Sequence, residues 1–231
     1  MSEIIPSILP KDYEDLKNNI LLVRGLVPLA QIDLCDGHFV KNSTWPFTEG
    51  SINEYHFKRI LAEEEGLPFW EDIDFELDLL VSDAVSNFDI YSKLGARGII
   101  FHLEAVGDIE EFKNFLEGID PYVKDSVEFG IALNPSTSLE KIFPLISFVN
   151  FVQFMGNDEI GFHGRELDEK VHEKIKSLKE KYPDVKVAVD IGVNEDTAPA
   201  HISAGADKLI IGSAIFRAED IIGKIEEFKN L

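Results

Sequence analysis

Short apolar runs alternate with amphipathic helical segments along the whole of this 231-residue chain. Strands are predicted at residues 4–9, 29–34, 75–81, 98–102, 127–133, 148–155, 186–190 and 209–211. Helices are predicted at residues 12–24, 52–65, 83–93, 108–116, 166–181, 195–204 and 221–228, with a short one after residue 138. Eight strand–helix pairs favour an α/β fold, a (β/α)₈ TIM barrel formed by residues 1–231 as a single domain.

A doubly wound open sheet is the main alternative to the barrel. The first strand is followed by the sequence Pro6-Ser-Ile-Leu-Pro10 rather than by a glycine-rich dinucleotide turn, which disfavours that alternative. In a barrel, polar residues at the carboxyl ends of the strands converge on one mouth. The polar residues that end each strand are therefore the candidates for a functional site.

The charge of the chain limits its partners. It has 43 acidic and 22 basic residues and a formal net charge of −21, so nucleic acid and anionic membranes are excluded as expected partners. A phosphorylated substrate would also be repelled at long range, so its phosphate would need local backbone N–H groups and helix N-termini. The single cysteine, Cys35, and the lack of a signal-peptide pattern predict a soluble, cytoplasmic protein.

Polar side chains occupy strand positions that are otherwise apolar. Gln31 and Asp33 alternate with apolar neighbours on the second strand, while Asp78 and Asp190 lie on the third and seventh, and Ser7 ends the first. Any one aspartate is as readily explained by capping of the next loop. Three at one mouth would repel each other, which raises pKa values or recruits a cation. Because Gln31, Asp33, Asp78 and Asp190 offer only oxygen ligands, Mg²⁺, Mn²⁺ or Ca²⁺ is favoured.

Glycines follow the last three predicted strands. They are Gly161 and Gly164 after the sixth strand, Gly192 after the seventh, and Gly212, followed by Ser213, after the eighth. Each glycine alone is explained by a turn. Together they let backbone N–H groups approach an anion, and they predict a phosphate cradle.

Several stretches, in order along the chain, resemble the ribulose-phosphate 3-epimerases. They are Pro6-Ser-Ile-Leu9, Asp33-Leu-Cys-Asp-Gly-His-Phe-Val40 with Asn42, Phe101-His-Leu-Glu104, Ala132-Leu-Asn-Pro135, Val189-Asp-Ile-Gly-Val-Asn194 and Gly212-Ser-Ala-Ile-Phe216. The resemblance implies a (β/α)₈ barrel, a sugar-phosphate substrate and a homo-oligomer. It implies interconversion of ribulose 5-phosphate and xylulose 5-phosphate by two aspartates, through an enediolate stabilised by a divalent metal.

The resemblance assigns roles to particular residues. Asp33 and Asp190 match the family's acid–base pair, which also binds the metal, Ser7 would orient the pair or the substrate, and Met155 matches a methionine that lines the site. The two other metal ligands of the family are histidines, and here Gln31 and Asp78 stand at those positions. This change favours Mg²⁺ or Mn²⁺ over Zn²⁺ or Fe²⁺.

Further departures from the family pattern leave other activities open. Cys35 and Leu80 replace two methionines, Ile191 replaces a glycine, and His163 stands where the phosphate loop usually has glycine. The alternatives are a related barrel isomerase, aldolase or decarboxylase that acts on another sugar phosphate, and a sugar-phosphate-binding protein without turnover. His102 and Glu104 are interpreted as a structural pair at the mouth.

Overall fold

Eight parallel strands form a closed barrel in chain order, in a computed structural model that describes residues 2–47, 54–162 and 164–231. The strands are β1 (Glu3–Ile8), β2 (Leu29–Cys35), β3 (Asp74–Leu80), β4 (Gly98–His102), β5 (Glu128–Leu133), β6 (Phe151–Met155), β7 (Lys186–Asp190) and β8 (Lys208–Ile211). β8 pairs with β1 and closes the barrel. The predicted (β/α)₈ barrel is confirmed, and the open-sheet alternative is wrong.

Helices cover the outside of the barrel. They are α1 (Tyr13–Val23), α2 (Tyr55–Leu61), α3 (Phe88–Ser92), α4 (Ile109–Gly118), α5 (Pro121–Ser126), α6 (Lys170–Lys181), α7 (Ala198–Ala204), α8 (Ser213–Phe216) and α9 (Ile221–Lys229), with a 3₁₀ helix at Leu139–Phe148. Aspartates start several of them: Asp12, Asp108 and Asp220 accept backbone N–H groups of the first turn. Within the described residues, no helix has the length and apolar character to cross a bilayer.

Element boundaries differ from the predictions where local chemistry competes with periodicity. The predicted sixth strand began at residue 148, but Phe148 ends the 3₁₀ helix, which contains Pro144, and β6 begins at Phe151. The helix predicted at 83–93 is shortened to α3, because Asp83 instead accepts hydrogen bonds from Asn87 and Tyr91. Residues 52 and 53 of the helix predicted at 52–65 lie outside the described residues.

Successive side chains of each strand point alternately out of and into the barrel, so the strands contribute to two separate apolar layers. Outward residues such as Ile32 and Leu77 pack under the helices in one large cluster. Inward residues such as Ile5, Ile100 and Ile210 form a smaller cluster inside the barrel. Gln31 and Asp33 share the inward face of β2 with Leu29 and Cys35, so both polar side chains point into the barrel.

Candidate active site

Three aspartates meet inside the mouth of the barrel. Asp33 on β2 lies directly beside Asp78 on β3 in the strand register, and Asp190 ends β7 on the other side of β1 and β8. One carboxylate oxygen from each lies within 4.8 Å of the other two. All three side chains are buried, so their charges are poorly screened by water.

Gln31 connects two of these carboxyl groups. Its Nε2 donates to Oδ1 of Asp33 at 2.8 Å and to Oδ2 of Asp190 at 3.3 Å. Ser7 Oγ donates to Oδ2 of Asp33 at 2.8 Å, so both oxygens of Asp33 are held. The buried Oε1 of Gln31 has no hydrogen-bond partner in the described parts of the chain. The fold therefore brings Ser7, Gln31, Asp33 and Asp190 together, as the sequence predicts.

The third aspartate has partners that the sequence analysis missed. His102 Nε2 lies 2.8 Å from Oδ1 of Asp78, and Gln153 Nε2 donates to Oδ2 of Asp78 at 3.5 Å. The predicted pair of His102 and Glu104 is wrong, because Glu104 instead accepts from the backbone N–H of Asn134 at 2.8 Å. Strand alternation could have placed both side chains inside the barrel, since His102 shares the inward face with Ile100 and Gln153 shares it with Met155, but it does not define which carboxyl group they contact.

Burial and mutual repulsion shift the acidity of the cluster. Burial, followed by the charges of Asp190 and Asp78, raises the pKa of Asp33 well above its usual range. Burial and the charge of Asp78 raise the pKa of Asp190 to about 7. Burial alone would lower the pKa of His102, but the Asp78 carboxylate beside it produces a net rise. Two of the three carboxyl groups thus keep a proton to unusually high pH.

The geometry and donor set of the cluster fit a divalent cation. Two oxygens that bind one cation at about 2.1–2.4 Å cannot be more than about 4.8 Å apart. The three carboxylates meet this limit, and the unpartnered Oε1 of Gln31 is a further oxygen donor close by. Buried carboxylates that repel each other are also stabilised by a cation. The residues present therefore fit a hard, oxygen-binding metal.

The loop after β2 covers the mouth. Asp36 accepts the backbone N–H groups of His38 and Phe39, each at 2.8 Å, which fixes the turn at Gly37. The Phe39 ring then lies 5.7 Å from the His102 ring, centroid to centroid. Asn42 Nδ2 donates to the backbone oxygen of Gly161 at 2.9 Å and ties this loop to the loop after β6.

A cavity opens beside the aspartates. The residues predicted to bind substrate all line it, together with both candidate acid–base residues: Ser7, Asp33, Met155, Gly161, Gly164, Asp190, Gly192, Gly212 and Ser213. Gln31 and Asp78 do not line the cavity and instead contact the lining carboxylates or lie within 4.8 Å of them. His163 lies outside the described residues.

The loops after β7 and β8 present backbone groups to the cavity. Among the described residues, none accepts a hydrogen bond from the backbone N–H of Gly192, Val193 or Ser213. Gly192 has φ +75°, and a Cβ there would lie 2.9 Å from Cβ of Leu167. Ile191 stands where the resemblance implies a glycine, and it has φ +69°, a strained value for a β-branched residue. Its N–H donates to Oδ1 of Asp190 at 2.7 Å.

Comparisons with known proteins agree with the resemblance seen in the sequence. The profile of the ribulose-phosphate 3 epimerase family matches residues 3–216. The chain is 29% identical to the cytoplasmic isoform of ribulose-phosphate 3-epimerase from Oryza sativa subsp. japonica, over 95% of this chain and 89% of that one. It is 28% identical to the ribulose-phosphate 3-epimerase of Bacillus subtilis, over 99% of each chain.

Solved structures with much lower sequence identity share the fold. The KGPDC of Streptococcus mutans has a TM-score of 0.70 and 15% identity over 100% of this chain and 96% of that one. The 3-hexulose-6-phosphate synthase of Salmonella typhimurium has a TM-score of 0.68 and 14% identity over 99% and 97%. These likenesses support the barrel architecture alone.

Proposed function

Because the chain belongs to the ribulose-phosphate 3-epimerase family, we propose that it interconverts ribulose 5-phosphate and xylulose 5-phosphate. One observation carries the proposal: two buried carboxyl groups with raised pKa values, Asp33 and Asp190, line one cavity and share the amide of Gln31. Inversion at carbon 3 requires one group to remove a proton and another to return one from the opposite side. Two carboxyl groups in different protonation states meet this requirement.

The positions of the two aspartates suit transfer on opposite faces of one carbon. Asp33 approaches from β2 and Asp190 from β7, with β1 and β8 between them. A substrate held in the cavity between these strands would present one face of carbon 3 to each carboxyl group. Because repulsion disfavours two neighbouring anions, one group would be ionised and the other protonated near neutral pH. The roles would exchange between the forward and reverse reactions.

The residues around the pair would maintain this arrangement. Ser7 and Gln31 fix both oxygens of Asp33, so that its carboxyl group keeps a single orientation through the reaction. Asp33, Asp78 and Asp190 would hold a divalent cation, with Mg²⁺ or Mn²⁺ preferred because all donors are oxygen. Gln31 would join them through Oε1 after a turn of its amide, since Nε2 faces Asp33 and Asp190 in the structure. When bound, the cation would stabilise the negative charge that develops on the substrate oxygens.

The phosphate of the substrate would bind at the glycine-containing loops. The N–H groups of Gly192, Val193 and Ser213 are the candidate donors, and Gly161 and Gly164 also line the cavity. Binding through the backbone suits a chain of net charge −21, because these partial positive charges act only at close range. The distance from this cradle to the aspartates would then select a short sugar phosphate.

The direct test is deuterium exchange at carbon 3 of ribulose 5-phosphate in heavy water. We expect incorporation that is higher with Mg²⁺ or Mn²⁺ than with Zn²⁺, and formation of xylulose 5-phosphate. Asp33→Asn and Asp190→Asn should each abolish formation of xylulose 5-phosphate, since inversion needs both groups and an amide cannot carry the proton; exchange into ribulose 5-phosphate should be lost in the variant that lacks the group acting on that epimer. As a matched control, Asp74→Asn removes a carboxylate from the other end of the barrel and should leave exchange intact.

Other outcomes would favour the alternatives. If no metal supports exchange but ribulose 5-phosphate still raises the melting temperature, a binding protein or an enzyme for another sugar phosphate is favoured. Exchange that survives in both aspartate variants would exclude the two-aspartate mechanism. Calorimetric titration with Mg²⁺ and Mn²⁺ tests the cation separately, because Asp78→Asn should weaken cation binding whether or not the chain turns over a pentose phosphate.

A further inference from the structure

Arg217 differs from the other arginines of the chain in its partners. Arg24, Arg59, Arg97 and Arg165 each form an ion pair with an acidic side chain, at 3.0–3.2 Å. Arg217 forms none with any residue in the described ranges, although acidic residues outnumber basic ones by 43 to 22. In so acidic a chain, an arginine without an internal carboxylate partner is available to an external anion.

The position of Arg217 places it at the mouth of the barrel. Its backbone N–H donates to the oxygen of Ser213 at 3.1 Å, so the two residues are one helical turn apart and share a face. A Cβ built at Gly164 would lie 3.7 Å from Nη1 of Arg217, and apart from the chain neighbours of Gly164 no other described atom lies within 4 Å. The Nη1 atom therefore lies beside Gly164, which lines the cavity, while Arg217 itself is exposed at the edge of that lining.

We propose that Arg217 binds the phosphate of the substrate and completes the backbone cradle with a full positive charge. The inference rests on the proposed function, because it assumes that a sugar phosphate occupies the cavity lined by Gly164 and Ser213. A guanidinium donates two parallel N–H groups to one phosphate and carries a full positive charge, which neutral backbone amides lack. It also offsets locally the repulsion of a dianion by a chain of net charge −21.

Arg165 is the rival residue for this role, because it is adjacent to Gly164. Its guanidinium, however, is 3.2 Å from Glu159 and lies over the ring of Phe162, with 5.1 Å from Cζ to the ring centroid. Its charge therefore already faces a carboxylate, in an exposed and weak ion pair. The structure assigns phosphate recognition to Arg217, and it assigns to Arg165 the support of the loop after β6.

The test measures binding of inorganic phosphate by calorimetry, with the full chain and without turnover. We expect Arg217→Gln to weaken phosphate binding about tenfold or more, since a charge-assisted hydrogen bond is lost. Arg217→Lys should retain part of the affinity, because it keeps the charge and loses the fork. Arg165→Gln should lower the phosphate affinity less than Arg217→Gln does. Arg97→Gln should lower the phosphate affinity only as far as the change in net charge requires.

Kinetics and folding controls separate this inference from the proposed function. If ribulose 5-phosphate is a substrate, Arg217→Gln should raise KM about tenfold while kcat stays within about threefold. Phosphate binding that depends on Arg217, without exchange at carbon 3, would overturn the epimerase and leave this inference intact. Wild-type affinity in a folded Arg217→Gln variant, or an equal loss in Arg165→Gln, would overturn the role of Arg217. Thermal unfolding of Arg217→Gln, together with the phosphate affinity of Arg217→Lys, distinguishes the loss of a phosphate contact from a folding defect.

Discussion

Both ends of the barrel interior contain buried charged side chains, but the arrangement of the charges is opposite at the two ends. At the amino end of the strands, Lys208 Nζ lies 3.1 Å from Glu76 and 3.7 Å from Glu128, and 4.0 Å above the ring of Phe151. At the carboxyl end, Asp33, Asp78 and Asp190 face each other. One end pairs opposite charges, and the other assembles like charges.

This difference separates charge that serves folding from charge that serves chemistry. The ion pair at the amino end fills the barrel and leaves no net charge between Lys208 and Glu76, although burial still raises the pKa of Glu76 to about 7. The aspartates repel each other, and the histidine beside Asp78 can balance only one of them. A protein retains such an arrangement at a cost in stability when the site has a function.

The largest expected effect is on turnover at the mouth. Asp33→Asn or Asp190→Asn should lower kcat by about a thousandfold or more, because each removes a proton-transfer group. At neutral pH neither variant should be less stable than the wild type, since each relieves repulsion. Steady-state kinetics and urea unfolding on the same samples test both statements. A strong loss of stability would show that these carboxylates support the fold.

The second effect is at the amino end of the barrel, where a substitution should lower stability and leave turnover nearly unchanged. Lys208→Met leaves Glu76 buried without its partner, and we expect a loss of about 3–5 kcal/mol in the free energy of unfolding with little change in kcat. The variant Glu76→Leu with Lys208→Met should recover most of it. Arg97→Met, which breaks the exposed pair with Asp74, is the control and should cost less than about 1 kcal/mol. Equal losses of stability in Lys208→Met and Arg97→Met would show that burial does not strengthen the contribution of the Lys208 ion pair.

A smaller effect concerns the pH dependence of stability. Folding raises the pKa of Asp190 from 3.8 to about 7, so between these values the folded chain binds a proton that the unfolded chain has lost. Its contribution is therefore present below pH 4 and is lost as the pH rises through 7. Relative to Asp190→Asn, the wild type should lose about 2–4 kcal/mol between pH 4.5 and 7.5.

The comparison with Asp190→Asn is needed because another buried group acts in the opposite direction. Burial lowers the pKa of His201 to about 4, so His201 contributes stability that is lost as the pH falls through this value. Since His201 lies on α7, outside the barrel, its effect is the same in both proteins and cancels in the difference. Parallel pH profiles for the two proteins would refute the raised pKa of Asp190. Saturating Mg²⁺ should flatten the wild-type profile.

The fold was predictable from sequence because strand and helix periods alternate along the whole chain. The inward face of β2 was also predictable, since Gln31 and Asp33 must point to the same side. The glycines after β6, β7 and β8 could be grouped for a similar reason, because all parallel strands end at one mouth. These predictions follow from the two-residue alternation of side chains and from the direction of each strand, and both can be read from the sequence of one strand.

Contacts that depend on register between strands were not predictable in the same way. The pairing of Asp78 with His102 depends on how far β4 is shifted along β3, and one strand alone does not define this shift. The same limit applies to Gln153, which reaches Asp78 from β6 across the interior. The 3₁₀ helix and the shortened α3 reflect Pro144 and the hydrogen bonds of Asp83, which override the apolar period.

The contact between Asp78 and His102 gives the smallest predicted effect and the finest test of the mouth. His102→Asn removes the hydrogen bond at 2.8 Å and frees Asp78 to reorient, while keeping a polar side chain. We expect Mg²⁺ affinity, measured by calorimetry, to fall about tenfold, as for other partners that orient metal ligands. His172→Asn is the control, since His172 pairs with His201 on the outer helices. Unchanged Mg²⁺ affinity would mean that Asp78 does not need His102 to orient it, and the cluster at the mouth would reduce to the three aspartates and Gln31.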